Sequence, residues 1–68
     1  MKLKDFIANR DVDVNAEYEI YHGVWNDGGE CIWDSVMGRL SQDDLIAQYN
    51  ITYITVDIDT RSIIIEVA

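Results

Sequence analysis

Two segments near the C-terminus restrict the fold most, because both are rich in β-branched residues and only a short polar turn separates them. Ile51 to Ile58 and Ser62 to Val67 are predicted strands, and Asp59-Thr60-Arg61 is predicted to join them as an antiparallel hairpin. This register pairs Ile58 with Ile63, Val56 with Ile65, and Ile54 with Val67. We expect these six aliphatic side chains to share one face of the sheet and to form the core.

The other face of this hairpin is more polar and is expected to be half solvated. It carries Tyr53, Thr55, Asp57, Ile64 and Glu66.

A second hairpin is predicted earlier in the chain, from Tyr18 to Trp25 and from Glu30 to Ser35. The turn Asn26-Asp27-Gly28-Gly29 supplies residues that tolerate positive φ angles, as a tight hairpin requires. This turn would pair Trp25 with Glu30, Val24 with Cys31, and His22 with Trp33. The predicted core face then carries Tyr18, Ile20, His22, Val24, Cys31 and Trp33, and a mixed face carries Glu19, Tyr21, Trp25, Glu30, Ile32 and Asp34.

Two short helices complete the pattern. In the first ten residues, Leu3, Phe6 and Ile7 form one apolar stripe at helical spacing. In the segment from Leu40 to Asn50, Ser41 is the predicted N-cap and Asp44 follows three residues later, as in a capping box. Leu40 and Leu45 would close the helix start as a hydrophobic staple, and the apolar stripe would consist of Leu45, Ile46 and Tyr49.

The order of elements is therefore α-β-β-α-β-β, with an extended connector over residues 11–16. The 68 residues predict one α+β domain over 1–68, built on a small antiparallel sheet of about four strands, two hairpins, with the helices on one face.

The charge of the chain disfavours one class of partner. Thirteen acidic residues face five basic ones, giving a formal net charge of -8, which repels phosphate backbones. We therefore expect no direct nucleic-acid binding, and the charge serves either solubility or a basic partner. The sequence has one cysteine and shows neither a signal-peptide pattern nor an apolar run that could span a membrane, so a cytoplasmic location is expected.

Three polar residues near the first helix resemble the start of a calcium loop. Asp11, Asp13 and Asn15 match its first three ligand positions, but Ala16 replaces the required glycine and His22 replaces the bidentate glutamate. His22 and Cys31 could also lie close together across the first hairpin, although two residues do not complete a zinc site. The sequence therefore predicts no metal, no cofactor and no catalytic residue, and Cys31 is expected to be a buried thiol.

Aromatic residues give the remaining indication of a site. Tyr21 and Trp25 on the mixed face of the first hairpin, with Tyr53 on the polar face of the second, could form an interaction surface, since interfaces are enriched in such rings. The alternative is that the helices cover these rings and make them part of the core.

Three stretches resemble small uncharacterised proteins carried by phages and integrative mobile elements of Gram-positive bacteria. They are Lys2 to Ile7, Asp11 to Tyr21, and Ile51 to Val67. This resemblance implies a bacterial, cytoplasmic accessory protein of a mobile element and assigns no residue a role. The leading hypothesis is a noncatalytic protein-interaction module that binds an unknown protein or itself. The alternative is an acidic mimic of DNA that inhibits a nucleic-acid enzyme, and a small enzyme is the least favoured hypothesis.

Overall fold

A computed structural model describes residues 1–8, 17–38 and 40–68, and it confirms the α+β class and the four strands. Asp11, Asp13, Asn15 and Ala16 of the calcium-loop hypothesis lie outside the described residues. One α-helix, four strands and two short 3-10 helices are present in the part described. In chain order they are α1 (Leu3–Ala8), β1 (Tyr18–His22), β2 (Glu30–Asp34), a 3-10 helix (Ser35–Met37), a second 3-10 helix (Leu45–Gln48), β3 (Ile51–Asp57) and β4 (Ser62–Val67).

The four strands form one mixed sheet in the order β2-β1-β4-β3. Each hairpin is antiparallel, but β1 and β4 pair in parallel, from Tyr18 opposite Ile63 to His22 opposite Val67. The expectation of a wholly antiparallel sheet is therefore wrong. The chain between β2 and β3 is the cause: it leaves one end of the sheet and enters β3 at the opposite end, so that β4 runs in the direction of β1.

The C-terminal hairpin has the predicted faces in a different register. Val56 pairs with Ile63 and Ile54 with Ile65, two residues away from the predicted pairing. Ile58 lies in the turn instead of the strand, and Arg61 closes that turn with a left-handed φ of 58°. A slip of two residues preserves which side chains share a face, whereas a slip of one would exchange them.

The N-terminal hairpin departs further from its predicted register, because its loop is longer. The strands end at His22, which pairs with Glu30, and residues 23–29 form the connection. Within this loop the Val24 carbonyl accepts hydrogen bonds from the backbone N–H groups of Asp27 and Gly29, at 3.1 and 2.9 Å. Val24 therefore leaves the strand and is exposed, contrary to its predicted place in the core.

A bulge in β2 changes the faces of that strand. Ile20 pairs with Trp33 and Tyr21 with Cys31, so Ile32 is the extra residue between them. Ile32 and Trp33 both pack against the core, whereas Cys31 is exposed. The prediction of a buried thiol is thus wrong, and so is the placement of Ile32 on the mixed face.

The main buried cluster lies on one face of the sheet, beneath α1 and the second 3-10 helix. Phe6 and Ile7 of the predicted stripe pack against it. On the other face Ile64 is fully buried, so the expectation of a half-solvated side chain there is wrong. Ile54, Val56 and Ile58 are exposed, so half of the predicted aliphatic core is wrong. The buried cluster consists of Leu3, Ile20, Leu40, Ala47, Ile65 and Val67.

The second predicted helix is a single 3-10 turn that begins later than expected. Asp44 is its N-cap and accepts a hydrogen bond from the Ile46 N–H at 3.0 Å, while Ser41 accepts from the Asp43 N–H in the preceding turn. Leu45 is 87% exposed, so the predicted staple with Leu40 does not form. Because this segment must reach the far end of the sheet, turns and a 3-10 helix, which rises about 2.0 Å per residue, cover more distance than an α-helix, which rises about 1.5 Å.

Candidate functional site

The three aromatic residues singled out in the sequence are all linked to Glu66, two by strand pairing and one by a backbone hydrogen bond. Tyr21 of β1 and Tyr53 of β3 are both cross-strand partners of Glu66 on β4, and directly paired residues share a face. The backbone N–H of Trp25 donates to Glu66 Oε2 at 3.2 Å. We call this side of the sheet the outer face, and we call Tyr21, Glu66 and Tyr53 the aromatic row.

Glu66 is the member of the row that sequence reasoning missed. It was expected on a half-solvated face, but its side chain is only 7% exposed. Its central strand has neighbours on both sides, and the loop after β1 reaches its carboxylate through Trp25. A buried carboxylate is retained where it accepts hydrogen bonds, so Glu66 ties this loop to the sheet.

Tyr21 is held as a neutral hydrogen-bond donor. Its hydroxyl donates to Glu19 Oε1 at 3.0 Å, and Cys31 of β2 is its cross-strand neighbour. Burial raises the pKa of Tyr21 to about 12, and the hydrogen bond to Glu19 and the nearby negative charge act in the same direction. A phenol with this pKa is a poor general base at neutral pH.

The aromatic residues differ in how far they reach solvent. Tyr21 and Trp25 are half-buried, whereas Tyr53 is 55% exposed. The two alternatives drawn from the sequence therefore apply to different residues: Tyr21 and Trp25 are partly covered, whereas Tyr53 is largely accessible to solvent.

His22 and Cys31 contact different neighbours. The His22 ring lies against Tyr49, with ring centroids 5.0 Å apart and planes tilted by 43°. Cys31 Sγ donates to the Trp33 carbonyl at 3.5 Å. In the ranges 1–8, 17–38 and 40–68, no group of three or more His, Cys, Asp or Glu residues is arranged to hold a metal ion.

An exposed apolar strip that runs along β3 and into the turn after it is the largest departure from the expected core. Ile54, Val56 and Ile58 alternate along the chain and are 44, 56 and 82% exposed. Ile54 and Val56 pair with Ile65 and Ile63, which places them on the helix-covered face, but beyond the helices' cover. We call these three residues the β3 strip.

The backbone of β3 is also open along most of its outer edge, because β3 is the last strand of the sheet. At its start the Ile51 N–H donates to the Met1 carbonyl at 2.8 Å, and Lys2 forms a bridge with Asn50. Beyond Ile51, the described part of the chain supplies β3 with no backbone hydrogen bond from outside the sheet. An open strand edge is a template for a further strand.

Acidic residues stand where β3 ends. Asp57 is its last residue and Asp59 lies in the turn, with the Asp59 N–H donating to Asp57 Oδ1 at 3.0 Å. Arg61 in the same turn offsets one of these charges. The local net charge at the end of β3 is therefore negative, like the net charge of -8 of the whole chain.

Among the described helices, none has the length and apolar character needed to cross a bilayer. Comparisons with protein-family models, with curated proteins and with solved structures return no match for this chain.

Proposed function

We propose that this chain is a noncatalytic protein-interaction module, and the observation that carries the proposal is the exposed β3 strip. Monomeric proteins rarely expose large contiguous apolar patches, because burial of apolar surface is favourable by roughly 25 cal/mol per Å². Ile54, Val56 and Ile58 are each more than two-fifths exposed. A partner that covers them would gain this free energy.

The net charge of -8 indicates the chemistry of that partner. A strongly acidic surface accelerates encounter with a basic protein and repels another acidic one. The resemblance of three segments to mobile-element proteins supports an accessory role in a bacterial cell, where the partner would be a host or element protein.

A noncatalytic role is supported by the state of the side chains on the outer face. Glu66 is buried against the Trp25 N–H, and Tyr21 is a neutral donor bound to Glu19. These groups hold the sheet and its loop together, and both are engaged in structural hydrogen bonds.

The alternative function, a DNA mimic that inhibits a nucleic-acid enzyme, requires exposed carboxylates that replace successive phosphates. On the outer face, Glu66 is buried and Glu19 is half-buried and bound to Tyr21. These positions favour the interaction module over the mimic.

Site-specific photo-crosslinking in the cell that produces the chain tests the proposal. A photoreactive residue is placed at Val56 or, as a matched control, at Val36, which is 93% exposed in the 3-10 helix after β2. We expect a discrete protein adduct at Val56 and a much weaker one at Val36. Equal, diffuse labelling at both sites would contradict the proposal.

A further inference from the structure

We propose that the edge of β3 binds an extended segment of a basic partner as a fifth strand, with alternating aliphatic and cationic side chains. This inference rests on the proposed interaction function and specifies its mode. The open edge runs from Thr52 to Asp57, long enough for a bound segment of about six residues at roughly 3.3 Å per residue. Main-chain hydrogen bonds would provide affinity, and side-chain contacts would provide selectivity.

The bound segment, here called the guest strand, is expected to alternate two kinds of side chain because β3 has two different faces. Side chains of adjacent strands that lie opposite each other share a face. Every second guest residue would therefore meet the β3 strip, where an aliphatic side chain is favoured. The intervening residues would lie on the outer face, beside Tyr53, Thr55 and Asp57.

The cationic side chains of the bound segment are inferred from two features of the protein, the carboxylates near the end of β3 and the exposed ring of Tyr53. Asp57 and Asp59 lie at the far end of the edge, and the exposed face of Tyr53 can accept a cation. A Lys or Arg on this side of the guest would gain both contacts. An acidic guest would meet like charge there and across a chain of net charge -8.

The same charge argues against a second copy of this chain as the occupant. Pairing of two β3 edges would join two strips, but it would also bring together two chains that each carry a net charge of -8. The N-terminus sets a further limit, because Met1 already occupies the edge beside Ile51. The guest must therefore pair beyond this point.

A direct test uses three synthetic peptides and the full chain, with binding followed by fluorescence anisotropy. The first is Lys-Val-Lys-Val-Lys-Val-Lys. The second has the same composition in blocks, Lys-Lys-Lys-Lys-Val-Val-Val, and the third is the alternating peptide with N-methylated valines. We expect the alternating peptide to bind at least about 10-fold more tightly than either control, because only it combines strand pairing with the correct faces.

Matched variants locate the site on the protein. Val56→Lys should weaken binding of the alternating peptide by about 10-fold or more, since it places a positive charge in the β3 strip. Val36→Lys makes the same change at a distant exposed position and should alter the dissociation constant by less than about 2-fold. Circular dichroism checks that each variant is folded, and the N-methylated peptide tests the mode without changing the protein.

Two results would overturn the inference. Equal binding of all three peptides would show attraction by charge alone. A dimer detected by sedimentation equilibrium, and abolished by Val56→Lys, would identify a second copy as the occupant. Either result leaves the interaction function intact if crosslinking at Val56 still yields a discrete adduct, so the two proposals fail separately.

Discussion

The two strands of the C-terminal hairpin have similar sequences and opposite environments. β3 and β4 both alternate aliphatic residues, yet Ile65 and Val67 are fully buried, whereas Ile54 and Val56 are about half exposed. β4 lies between two strands and under the helices, whereas β3 has one neighbour. Hydrophobic periodicity therefore predicts which side chains share a face, but the place of a strand in the sheet determines whether that face is covered.

The largest predicted effect is a contrast between Ile65→Asp and Val56→Asp. At Ile65 the new carboxylate would be buried without a hydrogen-bond partner. The cost of burying it exceeds the stability of a domain of this size, so we expect the Ile65→Asp variant to unfold. Val56→Asp should cost less than about 1 kcal/mol because the side chain can reach water. Thermal unfolding by circular dichroism measures both. Equal destabilisation would show that β3 is as covered as β4.

Loss of a side-chain hydrogen bond on β4 is also expected to destabilise the protein more than loss of one on β3. Glu66→Ala on β4 removes the acceptor of the Trp25 N–H and should cost about 1–3 kcal/mol. Asp57→Ala on β3 removes an exposed bond to the Asp59 N–H and should cost roughly 0.5 kcal/mol. Urea titration gives both values, and Glu66→Gln, which retains an acceptor, is the control. A larger loss at Asp57 would reverse the comparison.

The second 3-10 helix, which packs over β4, can be destabilised by a substitution outside β4. Asp44→Ala removes the N-cap of the second 3-10 helix, whose Ala47 is buried beside Ile65 and Val67, and should cost about 1 kcal/mol. Ser41→Ala should cost less than about 0.5 kcal/mol, because Ser41 belongs to the preceding turn. Hydrogen exchange should show faster exchange in β4 than in wild type for Asp44→Ala. No change in β4 would mean that this helix does not protect it.

A further small effect concerns Tyr21, on the strand that flanks β4 opposite β3. Tyr21→Phe should cost about 0.5–1 kcal/mol at neutral pH through loss of the bond to Glu19. Because the pKa of Tyr21 is raised from 10.0 to about 12, the folded state favours the neutral phenol. This stabilisation is complete below pH 10 and is lost as the pH rises through about 12.

Phenolate absorbance measured against pH tests this assignment. The component missing from Tyr21→Phe should titrate near pH 12 while the near-ultraviolet circular dichroism remains native. A missing component near pH 10 would show that Tyr21 is solvated.

Local pattern was sufficient for much of the fold. The stripe of Leu3, Phe6 and Ile7 and the strand Ser62–Val67 follow from spacing and residue type, and both are present. The sequence pattern predicts Ile58 and Val24 in strands, but both lie in connections, because turn geometry adds residues that hydrophobic alternation does not reveal. The bulge at Ile32 is a similar local departure.

The sequence identifies the aromatic residues of the candidate site, but it does not predict how they are arranged around Glu66. Tyr21, Trp25 and Tyr53 stand out by residue type, but the position of Tyr21 and of the Trp25 loop beside Glu66 depends on the parallel pairing of β1 with β4. That pairing is set by the path of the chain between β2 and β3, and no short motif encodes it. The β3 strip escaped prediction for the related reason that strand order decides exposure.

The parallel pairing of β1 with β4 also has a consequence for folding kinetics. It joins residues 18–22 to residues 63–67, so the centre of the sheet forms only after closure of a loop that includes both β2 and β3. Each hairpin alone is a local structure with little stability of its own. This raises the contact order, and we expect folding to be slower than for a helical bundle of this length. Closure of this loop is the step that turns two marginal hairpins into one cooperative sheet.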